Sequence, residues 1–218
     1  MRNRYWFLLP GLIGIAILWL SNPCWAGYKA RPWKIDPRES YPAFLTSEGV
    51  TIAVKPLFSD ATAAQVFDRD DMITRGIMPL AIIIFNDNDF AIEVEGLSIE
   101  LINQDQRIRT MSPNEAVYRL YRKDKAWINQ PMPRSSRASL NADALDDFDA
   151  KFLQDKRVAP HDSGSGFLYL HIPDSRDPGS FLAESLIYIP KIYREDDGSR
   201  MIFFEIALKA AVRADLPK

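Results

Sequence analysis

The chain has 218 residues and a net charge of −2, with 27 Lys and Arg against 29 Asp and Glu. A mild acidic excess without a basic block argues against nucleic acid as a partner. Cys24 is the only cysteine, which excludes an internal disulfide and a thiolate metal cluster, and no phosphate-binding loop or dinucleotide fingerprint occurs.

Arg2 and Arg4 precede a mostly apolar stretch from Tyr5 to Leu20, and Cys24-Trp25-Ala26 then places small residues two apart. This is the layout of a secretory signal peptide over residues 1–26. The stretch falls short of the ~20 apolar residues of a spanning helix and is broken by Pro10 and Gly11. Removing 26 of the 218 residues leaves 192, lowers the basic count from 27 to 25 against 29 acidic residues, and so gives a net charge of −4 and no thiol. An exported chain without disulfides fits a bacterial envelope, periplasmic or secreted. It has no membrane span once cleaved; an uncleaved segment would tether it. Cys24 also suggests an alternative, a lipid-anchored assembly factor, although Ser21-Asn22-Pro23 makes a poor lipobox.

Residues 27–48 hold Pro32, Pro37 and Pro42 among charges, without apolar periodicity, and read as a flexible or extended leader. A single domain is expected over 49–210, followed by a tail at 211–218. Val50 to Phe58 alternates as a first strand, placed at a sheet edge by Pro56. Asp60 to Asp68 reads as a short helix capped by Ser59 or Asp60.

Gly76 to Asn103 dominates the pattern, as two long strands joined by one polar turn. Leu80 to Phe85 is an unbroken apolar run rich in Ile, which fits a strand buried on both faces. Pro79 should mark its start or a bulge. Asn86-Asp87-Asn88-Asp89 reads as the turn. Ala91 to Ile102 then alternates, with Leu97, Ile99 and Leu101 on one face, and a bend at Gly96 would let this strand pass from one sheet to another.

Ser112-Pro113-Asn114-Glu115 combines an N-cap, a first-turn proline and a capping-box glutamate. The helix it starts puts Val117, Leu120 and Tyr121 on one face and covers a sheet face or closes one end of a sandwich. Asn129 to Ser139 reads as a loop. Asn141 then caps a second helix, with Ala144, Leu145, Phe148 and Phe152 on its apolar face, and the segment at about 129–165 is taken as a helical insertion. Gly166 to Ile172, Phe181 to Tyr193 and Met201 to Leu208 read as strands, the last two joined through Glu195-Asp196-Asp197-Gly198, with Pro190 at an edge or bulge. Six or so strands without regular βαβ alternation predict a mainly β fold, an antiparallel β-sandwich with two or three short covering helices.

The Asn/Asp turn, the GFLYLHI strand and the Asp-Gly turn leading to FFEIAL resemble a loose set of uncharacterised exported bacterial proteins with immunoglobulin-like β-sandwich folds, over roughly Val50 to Leu208 without the insertion. The resemblance implies an immunoglobulin-like fold and an extracytoplasmic setting, and no reaction. It lacks the cysteine pair of antibody domains, so packing alone must join the sheets.

Few residues offer chemistry. His161 and His171 are the only histidines. His171 reads as a structural strand residue. His161-Asp162-Ser163 contains the residue types of a hydrolase triad, but the serine lacks a strand-to-helix elbow, so the segment reads as a glycine-rich turn into a strand. Asn86 to Asp89 is dense in hard oxygen ligands, yet fails the EF-hand pattern and reads as a turn. Asp68-Arg69-Asp70-Asp71 reads as a solvated loop. No catalytic residue, metal ligand or cofactor is therefore assigned. The expected function is a non-enzymatic exported envelope protein, a protein-interaction or structural module with an envelope or extracellular protein partner. The alternative is a carbohydrate-binding or hydrolytic domain using acidic residues and aromatics such as Tyr118, Tyr121 and Trp127.

Overall fold

A computed structural model describes residues 28–121, 142–172 and 177–214. The signal segment, Trp127, the 129–139 loop and the Asn141 cap lie outside the described residues. Its centre is the apolar run singled out above. Strand β3 (Ile77–Asn86) pairs antiparallel with β2 (Val50–Pro56) on one side and with β9 (Asp162–His171) on the other. Adding β1 (Ala43–Ser47) and β7 (Thr110–Met111) completes a five-stranded sheet of order β1-β2-β3-β9-β7. Met78, Leu80, Ile82 and Ile84 point into one core and Ile77, Ala81 and Ile83 into another, so β3 is covered on both faces as its sequence predicts. Pro79 lies within β3 rather than at its start. Its carbonyl accepts from Leu57 N at 2.9 Å, so its missing N–H points to the same side, just beyond the end of β2, where no ladder bond is lost.

The first core is closed by two smaller sheets. One has the order β12-β10-β5-β6, from β5 (Glu100–Asn103), β6 (Gln106–Ile108), β10 (Ser185–Ile189) and β12 (Phe204–Ala207); the other has the order β11-β4-β8, from β4 (Ile92–Glu95), β8 (Asp155–Val158) and β11 (Ile192–Arg194). Every pairing between these strands is antiparallel. The architecture is mainly antiparallel β, consistent with a β-sandwich. The second core lies under α1 (Asp60–Ala63), α2 (Pro113–Tyr121) and α3 (Ala142–Lys151). Two more helices, α4 (Pro178–Ala183) and α5 (Lys209–Ala214), seal the first core with Phe181, Leu182, Ala211 and Val212. The described residues thus hold five short helices, more than the two or three expected.

Several expectations are corrected. Gly76 to Asn103 is not a hairpin, because β3 and β4 belong to different sheets and the Asn/Asp segment is a corner between layers. The bend at Gly96 does carry the chain from the sheet of β4 to that of β5, through a 3-10 turn at Gly96–Ser98. A Cβ there would lie 2.3 Å from Gln154 O and 2.4 Å from Leu153 O, which explains the glycine. That turn breaks the alternation, so Leu97 points outward while Ile99 and Leu101 are buried. β2 is not an edge strand; β1 lies outside it, inside the segment read as a leader. Residues 28–42 are laid against the helix side, with Tyr28 and Tyr41 buried. Trp33 packs edge-on to Phe167 at 5.0 Å and donates from Nε1 to Ser165 Oγ at 3.2 Å.

The insertion ends earlier than expected, since β8 and the first half of β9 lie inside 129–165. Gly164 and Gly166 are not a turn: two residues apart in β9, they share the face crossed by residues 153–158. A Cβ on Gly166 would stand 2.8 Å from Leu153 Cα. Phe181 to Tyr193 is not one strand. Asp177 caps α4 ahead of Pro178, and Pro190 separates β10 from β11 as the chain changes sheet. The Asp-Gly turn closes a short hairpin, with Arg194 N bonded to Ser199 O (2.9 Å) and Met201 N to Ile192 O (2.8 Å). Met201 to Leu208 yields a strand only over β12, and part of the tail forms α5.

Candidate functional site

The two histidines sit at opposite ends of β9, whose ten residues span on the order of 30 Å. His161 takes a positive φ of 53° just before β9 and its Nε2 donates to Asp89 Oδ1 at 2.8 Å. His171 faces Gly76, with Nδ1 3.1 Å from its carbonyl. No shared pocket joins them, and the triad geometry does not form.

The Asn/Asp corner binds its own protein. Asn86, fully buried, donates from its amide to Phe90 O (2.8 Å) and Ala159 O (3.1 Å). Asn88 donates to Glu48 O at 3.0 Å. Arg38 grips Asp87 at 2.8 and 2.6 Å, and these hydrogen bonds hold the Asp87 carboxyl below the usual carboxylate range. These side chains tie three turns together, so their oxygens are engaged. The Asp68 to Asp71 cluster is likewise bonded rather than simply solvated. Asp68 receives Lys29 N (2.9 Å) and Arg31 (3.0 Å), fastening the leader, and these bonds lower its carboxyl. Arg69 and Arg75 both bond Asp71.

Under the helices, the Tyr28 hydroxyl donates to Asp147 Oδ2 at 2.5 Å, and Lys151 bonds the other oxygen. Burial first, then this bond, pushes the Tyr28 hydroxyl far above the ordinary tyrosine range. The triad is an anchor between leader and α3. Of the aromatics proposed for a sugar surface, Tyr118 is buried and Tyr121 is half-buried with Arg69 stacked 4.9 Å over its ring.

Two features among the described residues remain open to a ligand. The first is a cleft of about 570 Å³ between the 96–98 turn, the start of β5, β7 and the first turn of α2. Leu97 stands on its rim, 66% exposed, and Phe152, Met111 and Ile99 form apolar wall. Glu100 is bonded by Arg107 and Glu115 by Arg119, whereas Arg109 has no ion-pair partner among the described residues.

The second is an apolar seam where β1 of the large sheet comes alongside residues 202–204 and β12 of the four-stranded sheet. Ile202 N donates to Glu48 Oε2 at 3.1 Å, which pins this segment to the β1–β2 turn. Leu45 (40%), Ile202 (43%) and Phe203 (48%) are exposed there, Phe203 leaning on Tyr188 at 5.8 Å, while Phe44 (52%) is exposed on the opposite face of β1. Sequence reading misses this surface because the pattern makes Phe44 and Leu45 part of a leader and Phe203 part of a strand. The signal that was available is the five-residue uncharged run Ala43–Ser47 ahead of a Glu-Gly turn.

No family model matches the sequence, and no curated protein matches it. Among solved structures, the chain is similar to the yjhA protein from Bacillus subtilis, at 8% identity and a TM-score of 0.36, covering 68% of this chain and 78% of that one. It is also similar to the "putative lipoprotein (ycdA)" from Bacillus subtilis subsp. subtilis str. 168, at 11% identity and a TM-score of 0.38, covering 81% of this chain and 42% of that one. No described helix is long and apolar enough to cross a membrane.

Proposed function

We propose that this is a non-enzymatic protein of the bacterial envelope, exported by its first 26 residues, which acts as a protein-interaction or structural module. The observation that carries the reading is the seam: Leu45, Ile202 and Phe203 are large apolar side chains exposed where two sheets meet, with Phe44 exposed on the other face of β1, a surface of the kind that marks a protein contact. Immunoglobulin-like topology is the finer form of the same proposal, supported by antiparallel sheets that close on one core without a disulfide. Leu45 lies in β1, and the Ile202–Phe203 segment is tied down by Ile202 N to Glu48 and Met201 N to Ile192 O, so a partner meets a preformed surface.

The test is capture from envelope extracts with the wild-type chain and with Phe203→Glu. Phe203 is half exposed and outside the cores, so the variant folds. Loss of a captured protein in the variant supports the reading. Equal capture by both chains, or none by the wild type at several salt concentrations, overturns it.

A further inference from the structure

We infer that β1 pairs with β1 of a second copy of this chain, so that two five-stranded sheets join edge to edge around a two-fold axis at Leu45. This rests on the reading of the seam as a protein-binding surface and names its partner.

Ser47 pairs with Val50 across the two-residue turn Glu48-Gly49, whose φ values are 49° and 71°. In such a hairpin the flanking pair is hydrogen-bonded. By alternation Ala43, Leu45 and Ser47 direct their backbone groups to β2, while Phe44 and Thr46 direct theirs outward. Thr46 and Thr51 agree with this, since they touch through their hydroxyls at 2.8 Å as a non-hydrogen-bonded pair does. No backbone bond reaches Phe44 or Thr46 from outside the β1–β2 ladder among the described residues.

An open edge is ordinarily blunted by charge, proline or brevity. The other edges of the three sheets obey this: β6 carries Arg107, β8 carries Asp155, Lys156 and Arg157, β11 carries Arg194, β12 carries Glu205, and β7 has two residues. β1 is the longest of these six and carries neither charge nor proline; Pro42 stands just ahead of it, outside the five residues that would pair. Its free groups are also self-complementary. They lie one residue either side of Leu45, so two antiparallel copies place Phe44 opposite Thr46 of the other chain twice over and satisfy all of them with four bonds. No like charges meet. One strand pair buries less than the roughly 1,200 Å² that a stable interface needs, and exposed Phe44, Leu45 and Ile202 supply apolar area beside it.

The register is what the experiment reads. In the full chain with Cys24→Ser, single Leu45→Cys, Phe44→Cys and Thr46→Cys variants are treated with a mild oxidant. At the axis, two Leu45→Cys residues form a non-hydrogen-bonded pair with Cα atoms about 4.5 Å apart, within disulfide range. Two Phe44→Cys residues are offset by two positions and lie roughly 8 Å apart, outside it. Rapid cross-linking of Leu45→Cys alone, and of mixed Phe44→Cys with Thr46→Cys, is expected. Equal cross-linking at all three positions shows random collision and overturns the inference, as does none at any. In parallel, Leu45→Lys sets like charges face to face and is expected to weaken the dimer at least tenfold in sedimentation equilibrium with an unchanged Tm. A wild-type chain that is monomeric yet still captures an envelope protein through the seam overturns this inference alone; a dimer that captures no other protein upholds it and removes only the separate envelope partner from the wider reading.

Discussion

Ile83 provides a graded test of the two-faced burial on which the architecture depends. It is fully buried in β3 and faces the helix-side core, with Phe67, Phe148, Phe167 and Tyr169 in the same cluster. Its cross-strand neighbours are Ala53 and Ser165, both small, so Ile83 supplies most of the apolar volume between them. Truncation leaves a cavity that neighbours cannot fill. Ile83→Val should cost about 0.5–1.5 kcal/mol and Ile83→Ala about 2–5 kcal/mol. For a domain of this size the latter lowers Tm by roughly 4–20 °C. Ile83→Asp adds the penalty of a carboxylate in an apolar layer, several kcal/mol against a net stability of about 5–15, so that variant should not fold. Urea unfolding followed by circular dichroism gives the series. If Ile83→Asp unfolded cooperatively at the wild-type midpoint, residue 83 would not be covered by helices and the two-core arrangement would be wrong.

Gly96→Ala should destabilise by about 1–3 kcal/mol or more, because the added methyl collides with the Leu153 and Gln154 carbonyls and not with a flexible side chain; an unchanged urea midpoint would show that residues 153–154 do not cross the chain there. Asp71 makes acid stability measurable: burial would raise its carboxyl, but bonds from Arg75 and Arg69 outweigh this and hold it below the ordinary range. Its unfolded-state pKa is ~3.9, so its contribution is complete above about pH 4 and is lost as pH falls through the lower folded value. Thermal melts between pH 5 and 2 should show a flatter acid limb for Asp71→Asn, and an identical limb would refute the assignment.

Much of the fold was legible because it follows from local rules. Ser112-Pro113-Asn114-Glu115 starts α2 where its chemistry says, with Glu115 N bonded to Ser112 Oγ at 3.2 Å. Six apolar residues in β3 could only be buried on both sides. Gly96 marked the change of sheet. What failed was pairing, which is non-local: nothing between Phe85 and Ala91 says that β3 and β4 will part to different layers instead of forming a hairpin. Gly164 and Gly166 show the same limit. Glycines two apart before an apolar run suit a turn, and only the crossing of that face by residues 153–158 makes them strand residues, with a Cβ on Gly166 forbidden and one on Gly164 tight against Lys156 and Val158.

The candidate surface was illegible for a related reason, which bears on how such a surface is built. Along the sequence, Phe203 has the composition of a strand, whereas Phe44 and Leu45 stand in a proline-containing segment without apolar periodicity, so neither pattern points to a contact surface. Phe44 and Leu45 end exposed because β1 is the last strand of its sheet: Ala43 reaches the core, but among the described residues no further strand pairs with the outer edge of β1. Charged residues occupy the other edges of more than two residues, so the sequence could have protected this one by a single Lys and does not. An apolar residue at an unprotected edge costs solubility in the isolated chain and offsets that cost only when something covers it. The physical distinction between core and contact therefore lies in strand order, and the seam becomes visible only once β1 is known to be outermost.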